Sequence, residues 1–236
     1  MKAVLLDMDG VLVDVRGSFR RAIAETVAGF TGRTPTPDAI QAMKDRGGFN
    51  NDWVLSHTLV AEAGLDVPFE EVREAFQDRY RGAAFDGLIA SEPAMIRTET
   101  LDALAEHYAL ALVTGRPEAD AQFTLDRFGW ANLIPVVVGM DQQAGREKPD
   151  PYGLTLALEA LDVDPARTVY AGDTVDDQTA ALAAGVIPVG VVPPGLDFDA
   201  HGRTLMSAGA RVVLSTPDTL PALLASWSGT DLQFRN

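Results

Sequence analysis

The sequence contains no cysteine among its 236 residues. Disulfide bonds, thiolate nucleophiles and thiolate metal ligands are therefore excluded. The lack of cysteine is compatible with a reducing compartment, and we expect a cytoplasmic protein. No apolar run reaches the length of about 18 residues that a membrane-spanning helix needs, and the start carries no basic and apolar leader. We therefore expect neither a membrane span nor export.

Positive charge is also scarce. Lys and Arg total 19 against 34 Asp and Glu, a formal net charge of -15, and the only lysines are Lys2, Lys44 and Lys148. Because nucleic acids are bound by clustered Lys and Arg, nucleic acid is not an expected partner. An acidic protein that binds an anionic substrate needs a local positive charge, which a metal ion and one lysine would supply. The alternative interpretation is that the acidic surface only keeps the protein soluble.

The composition is that of a globular protein, with 47% hydrophobic and 22% charged residues. The apolar run Ala3–Leu6 predicts a strand buried on both faces. From about Ser18 to Arg81, apolar residues recur every three or four positions, which predicts four helices. We expect this insert to form a small helical domain over residues 16–83. Residues 1–15 and 84–236 are expected to form the other domain.

Strands and helices alternate after Gly82. The predicted strands are Ala109–Val113, Val136–Val138, Thr168–Ala171, Val186–Val191 and Arg211–Leu214. The predicted helices lie near Thr98–His107, Asp120–Phe128, Pro151–Leu161, Asp177–Ala184, Ala200–Ala208 and Leu220–Trp227. This order predicts an α/β fold with a mostly parallel, Rossmann-like sheet and helices on both faces. Ligands of such sheets bind beyond the carboxyl ends of the strands.

Two carboxylates and a glycine follow the first predicted strand. Alternation along an extended chain puts Asp7 and Asp9 on the same side, roughly 7 Å apart along the backbone. That spacing suits two groups that share one divalent cation, although Asp and Gly are also ordinary residues of a polar turn. Gly10 allows a tight turn and brings its amide close to a ligand.

Polar residues also lie next to other predicted strands and helices, at the carboxyl edge of the predicted sheet. The hydroxyl and free amides of the turn at Thr114 can receive phosphate oxygens, and Lys148 can neutralise anionic charge. Asp173 and Asp177 can complete a hard-cation site. Alone, Lys148 could equally be a surface lysine and Thr114 a helix cap.

Taken together, these motifs resemble those of the haloacid dehalogenase superfamily, and the resemblance covers nearly the whole chain. The four motifs occur in order as Asp7-Met8-Asp9-Gly10, Thr114-Gly115, Lys148-Pro149, and Gly172-Asp173 followed by Asp177. The helical insert resembles the cap of subfamily I, which contains phosphoglycolate-phosphatase-like and phosphoglucomutase-like enzymes. Dehalogenase members lack the second aspartate and the metal, so the presence of Asp9 favours phosphoryl chemistry.

The resemblance implies a Mg²⁺-dependent phosphatase that hydrolyses a small phosphate monoester through an aspartyl phosphate. It makes Asp7 the nucleophile and Asp9 first the general acid and then the general base. It implies that Mg²⁺ is held by the Asp7 carboxylate, the Asp9 backbone carbonyl and Asp173.

The remaining motif residues are expected to serve the phosphoryl group. The resemblance implies that Thr114, the Gly115 amide and Lys148 stabilise the oxygens on which charge is spread during phosphoryl transfer. Asp177 is expected to orient Lys148 or a metal-bound water, and Gly10 to contact substrate through its backbone.

Specificity is expected to lie in the cap. In the stretch from Lys44 to Trp53, Arg46 and Asn50 or Asn51 either contact substrate or belong to a glycine C-cap followed by an asparagine N-cap. Arg116 either binds substrate or, as is commoner beside proline, is a solvated loop residue. The Phe-Asn-Asn-Asp-Trp run and Thr-Gly-Arg-Pro are also similar to a little-characterised subgroup, some of whose relatives are fused to a histidine-biosynthesis dehydratase.

Two other functions stay open. A phosphomutase of the β-phosphoglucomutase type uses the same core but returns the phosphoryl group to its substrate. A non-catalytic interaction protein on this fold is disfavoured by the four intact motifs. The expected partner is a small phosphorylated metabolite, and the expected state is a monomer or homodimer.

Overall fold

A computed structural model describes residues 1–46, 49 and 51–227. The chain divides into two compact units. The sheet unit comprises Met1–Asp14 and the chain from Ala94 onward, and the helical unit comprises Val15–Pro93. None of the helices in the described part of the chain is long and apolar enough to cross a membrane.

The sheet unit contains six parallel strands in the order β3-β2-β1-β4-β5-β6. They are β1 (Ala3–Leu6), β2 (Ala109–Val113), β3 (Val136–Val138), β4 (Thr168–Gly172), β5 (Ile187–Val191) and β6 (Val212–Leu214). The α-helices of this unit are α5 (Thr98–Ala105), α6 (Glu118–Phe128), α7 (Tyr152–Leu161), α8 (Val175–Ala183), α9 (Phe198–Ser207) and α10 (Leu220–Ser226). The predicted α/β fold with a Rossmann-like parallel sheet is confirmed.

Apolar side chains on both faces of the central strands form the core. In register, Leu5 of β1 lies beside Ala111 of β2 and Tyr170 of β4. These three side chains pack against α7 and α8 in one buried cluster, while α5 lies against β2 and α10. Such two-sided burial explains why the strands are continuous apolar runs rather than alternating ones.

The order of the strands creates a switch point at β1. The chain passes from β1 to β2 and β3 on one side and then returns to β4 on the other. The Asp7 N–H, just beyond β1, donates to the carbonyl of Ala171 in β4 at 2.9 Å. The carboxyl ends of β1 and β4 therefore lie side by side where sheets of this type bind ligands.

The helical unit contains the four helices that the apolar spacing predicts. They are α1 (Phe19–Thr31), α2 (Pro37–Asp45), α3 (Asp52–Glu62) and α4 (Phe69–Tyr80). Helix α1 packs against α3 and α4, and the rings of Phe19 and Tyr80 stack with centroids 4.3 Å apart.

The helical unit extends ten residues beyond the boundary expected at residue 83, since it ends at Pro93. Glu92 explains this difference. Its buried carboxylate accepts hydrogen bonds from the Ser18 hydroxyl and, at 3.4 Å, from the Tyr80 hydroxyl. Because these partners belong to the start of the insert and to α4, the segment before Pro93 packs with the helices.

Candidate active site

The loop that follows β1 is a tight turn at the carboxyl edge of the sheet. The carbonyl of Met8 accepts hydrogen bonds from the amides of Leu12 (2.8 Å) and Val13 (3.0 Å). Gly10 adopts a φ of +70°, a conformation that side chains other than glycine rarely take. A β-carbon at Gly10 would also overlap the carboxylate of Asp173. Glycine is therefore required here both by the turn and by the approach of Asp173.

Lys148 joins three parts of the site. Its Nζ lies 3.0 Å from Oδ1 of Asp7, 2.6 Å from Oδ1 of Asp177 and 2.8 Å from the hydroxyl of Tyr170. The lysine side chain is only 11% exposed. One ammonium group therefore links the residue after β1 and the middle of β4 to the first turn of α8.

Asp177 is held at the start of α8 by a reciprocal cap. Its Oδ2 accepts from the N–H of Thr174 (2.9 Å) and from the Thr174 hydroxyl (2.7 Å), while Thr174 Oγ1 accepts from the Asp177 N–H (3.2 Å). Its Oδ1 contacts Lys148 and lies 3.1 Å from the Tyr170 hydroxyl. Both carboxylate oxygens are thus engaged within the protein.

The charges of this cluster do not balance. Burial raises the pKa of Asp7 to about 7, and the negative charges of Asp177 and Asp9 act in the same direction while Lys148 opposes them. Burial and the same acidic neighbours raise the pKa of Asp173 well above its usual value. For Asp177, burial is outweighed by the charge and hydrogen bond of Lys148, so its pKa is lowered. The site has an excess of buried carboxylates that a cation would relieve.

Three carboxylates are close enough to share a metal ion. Oxygens of Asp7, Asp173 and Asp177 lie within 4.8 Å of one another, and oxygen ligands suit hard divalent cations. Because both Asp177 oxygens are engaged, Asp7 and Asp173 are the side chains of this trio best placed to bind an ion. Nε2 of His201 lies 2.8 Å from the Asp173 carbonyl and fixes the backbone there. The donor set and the unbalanced charge both fit a divalent cation.

Asp9 faces a buried arginine. Nε and Nη2 of Arg116 each lie 2.6 Å from Oδ1 of Asp9, and the arginine side chain is 1% exposed. The interpretation of Arg116 as a solvated loop residue is therefore wrong. Sequence could not reveal the contact, because its two residues lie 107 positions apart.

Thr114 and Gly115 directly follow β2, which lies next to β1. Thr114 is buried, its N–H donates to the carbonyl of Val138 (3.0 Å), and its Oγ1 accepts from the Arg116 N–H (3.2 Å). The side-chain amide of Gln143 donates to the Thr114 carbonyl at 2.7 Å. Among the described residues other than its two chain neighbours, none has an atom within 4 Å of the position of a β-carbon at Gly115, so the space beside its backbone is open to that extent.

The candidate substrate residues of the insert lie in the helical unit. Arg46 is exposed and pairs with Glu62 at 3.2 Å. Asn51 caps α3, where its Oδ1 accepts from the N–H groups of Trp53 (3.0 Å) and Val54 (3.3 Å). The contacts of Asn51 are therefore those of a helix N-cap. Asn50 lies outside the described residues.

Tyr170 and His201 belong to the site although no sequence motif marks them. Tyr170 falls within a strand pattern, where an aromatic residue is expected to be core. The usable signal was that a buried tyrosine hydroxyl needs a hydrogen-bond partner. His201 carries no comparable signal, because its contact with the Asp173 carbonyl depends on how α9 packs.

Comparison with known proteins adds independent findings. The family model of haloacid dehalogenase-like hydrolases matches residues 1–185. An N-acetylmuramic acid 6-phosphate phosphatase of Pseudomonas aeruginosa is 32% identical over 231 residues, which cover 93% of each chain. The crystal structure of a HAD family hydrolase from Deinococcus radiodurans R1, with bound phosphate and sodium, superposes with a TM-score of 0.72. It is 26% identical, and the match covers 99% of this chain and 98% of that one.

Another relative bears the name of a different enzyme. A Phytophthora nicotianae protein called imidazoleglycerol-phosphate dehydratase is 34% identical over 230 residues, 91% of this chain. The match spans only 50% of that relative, so its name does not carry over to this chain. The dehydratase name agrees with the resemblance of this chain to a subgroup in which some relatives are fused to a histidine-biosynthesis dehydratase.

Proposed function

Because the chain belongs to the haloacid dehalogenase-like hydrolases, we propose that it is a Mg²⁺-dependent phosphatase acting on a small phosphate monoester. The observation that carries the proposal is the contact of Lys148 Nζ with Asp7 Oδ1 at 3.0 Å, beside the carboxylate of Asp173. The proposed nucleophile, the proposed cation for the phosphoryl oxygens and the proposed metal-binding carboxylate therefore lie close together. The phosphatase name of the Pseudomonas aeruginosa relative supports a phosphorylated small molecule as substrate.

The proposed reaction has two steps, transfer of the phosphoryl group to Asp7 and hydrolysis of the aspartyl phosphate. An oxygen of Asp7 attacks the phosphorus while the bond from phosphorus to the leaving alcohol breaks, and Asp9 gives its proton to that alcohol. Asp9 then takes a proton from a water molecule, which attacks the phosphorus of the aspartyl phosphate. Inorganic phosphate leaves, and the Asp7 carboxylate and protonated Asp9 are restored.

The surrounding groups bind the phosphoryl oxygens. The Lys148 ammonium offers positive charge next to the nucleophile, and Asp177 and Tyr170 hold it there. Thr114 Oγ1 accepts from the Arg116 amide, which leaves its hydroxyl hydrogen for a phosphoryl oxygen. The open space beside Gly115 lets an oxygen approach its amide.

The carboxylates of Asp7 and Asp173, with the backbone carbonyl of Asp9, are the groups that would hold Mg²⁺. When bound, the ion reduces the repulsion between the carboxylate nucleophile and the phosphoryl oxygens. We further propose that the helical unit acts as the cap that selects the substrate, as in the subfamily it resembles.

The test is phosphate release from a panel of sugar, glycolate, nucleotide and amino-alcohol phosphates, with Mg²⁺ and with EDTA. Asp7→Asn should lose at least about 10³-fold in turnover, because it removes the nucleophile. Asp102→Asn, a matched change at an exposed position of α5, should behave as wild type. Equal turnover in the two variants, or no effect of EDTA, would contradict the proposal. An isomeric sugar phosphate in place of inorganic phosphate would identify a phosphomutase instead.

A further inference from the structure

We propose that Arg116 is a positioning residue that holds Asp9 in the orientation needed for proton transfer to the leaving alcohol. The inference rests on the proposed phosphatase function and assigns Arg116 no contact with substrate. The exposed fractions of the two side chains support it. Arg116 is 1% exposed, whereas Asp9 is 32% exposed. Of this pair, Asp9 is the group that an incoming ester can reach.

The guanidinium group binds one edge of the Asp9 carboxylate. Both Nε and Nη2 end on the same oxygen, Oδ1, at 2.6 Å. Oδ2 is outside this contact, so it is the oxygen that can carry the transferred proton. Two nitrogens in the rigid plane of a guanidinium that contact one carboxylate oxygen fix the position of that oxygen.

Arg116 is itself fixed on three sides. Its Nη1 donates to the Thr124 hydroxyl in α6 at 3.3 Å. Its backbone N–H donates to Thr114 Oγ1 at 3.2 Å, and its carbonyl accepts from the Met140 N–H at 2.8 Å. The first contact ties the guanidinium to α6, and the other two tie the Arg116 backbone to the residue after β2 and to the segment after β3. The Asp9 carboxylate is therefore held by a residue that is itself anchored in the sheet unit.

Orientation matters because proton transfer requires the acid to lie within hydrogen-bond reach of the leaving oxygen. A displacement of about 1 Å can cost about 10²-fold in rate. Alkyl leaving groups need this proton, whereas p-nitrophenolate leaves readily without it. Loss of the Arg116 contact should therefore harm alkyl esters selectively.

The experiment compares kcat/KM for glycerol phosphate and p-nitrophenyl phosphate, because kcat/KM covers the steps up to departure of the leaving group. In Arg116→Met we expect a loss of about 10²-fold with glycerol phosphate and less than about 10-fold with p-nitrophenyl phosphate. Arg116→Lys should show the same selective loss, since lysine has a single nitrogen and cannot replace the two nitrogens that contact Oδ1 of Asp9. The control Arg21→Met removes an exposed arginine, 62% accessible, and should change neither value.

Equal losses with the two esters would indicate a structural or substrate-binding role and would overturn the inference. No loss with either ester would also overturn it. Thr124→Val keeps the Asp9 contact but removes the Nη1 partner, and a smaller selective loss is expected even if Arg116→Met fails to fold. If Thr124→Val shows equal losses or none, the inference is overturned as well. If the wild type hydrolyses only another alkyl phosphate of the panel, that ester replaces glycerol phosphate in the comparison. A wild type that hydrolyses no phosphate ester of the panel, nor either of these two, would overturn the proposed function, and this inference with it.

Discussion

Replacement of Lys148 by methionine is expected to destabilise the sheet unit strongly. The substitution keeps most of the side-chain volume but removes the ammonium that contacts Asp7 and Asp177. These carboxylates are 7% and 0% exposed, so water cannot replace the lost partner. Removing one partner of a buried ion pair costs about 3–5 kcal/mol.

The expected loss is large enough to measure by thermal unfolding. For a chain of this length about 1 kcal/mol corresponds to about 2–4 °C, so the midpoint should fall by about 6–20 °C. The samples contain EDTA at neutral pH, which keeps divalent cations from compensating Asp7. Lys2→Met is the matched control, because Lys2 is exposed and its loss should change stability by no more than about 0.5 kcal/mol.

A double variant tests the stated cause. If the uncompensated charge of Asp177 drives the loss, adding Asp177→Asn to Lys148→Met should destabilise less than the sum of the two single changes. A midpoint for Lys148→Met within about 2 °C of that for Lys2→Met would refute the reasoning.

Gly10→Ala should destabilise the protein by about 1–3 kcal/mol and weaken the proposed binding of Mg²⁺, measured by calorimetry, because the new methyl group meets the Asp173 carboxylate at a strained φ. Gly17→Ala, where space is open, is the control, and equal effects would contradict this. At Asp218, hydrogen bonds led by that from the Arg97 N–H outweigh burial and lower the pKa. A folded-state pKa below the unfolded value contributes stability above about pH 4 that is lost as pH falls through the folded pKa. The stability difference between wild type and Asp218→Asn should therefore be about 1 kcal/mol at neutral pH and shrink in acid, and a difference independent of pH in denaturant titrations would count against it.

Elements of secondary structure could be predicted because they depend on neighbouring residues. The strand Ala109–Val113 has the predicted bounds, and the last strand begins at Val212, one residue later than expected. The meeting of the motifs at one edge also follows from sequence, since strands joined by helical crossovers run parallel and end on the same side. The starts of helices also depend on nearby residues. The hydroxyls of Thr36 and Thr174 each cap a helix by accepting a hydrogen bond from the N–H of the residue three positions later.

The contacts of individual site residues could not be predicted in this way. The sequence around Arg116 is typical of a polar loop, yet its side chain is buried against Asp9. The strand pattern predicts only that Tyr170 is buried, and it does not reveal that the tyrosine hydroxyl contacts Lys148. Local patterns determine which face of an element is apolar, but they do not specify what lies opposite that face.

The sequence by itself therefore determined the alternation of strands and helices, the helical insert and the residues present at the carboxyl edge of the sheet. Only the tertiary structure decided that β1 lies between β2 and β4, which brings Asp7 beside Asp173 and Lys148. It also decided that Asp177 is engaged by Lys148 and Thr174, while Arg116 turns inward to Asp9. The physical reason is that periodicity acts over a few residues, whereas strand order and buried ion pairs depend on contacts between residues far apart in the chain.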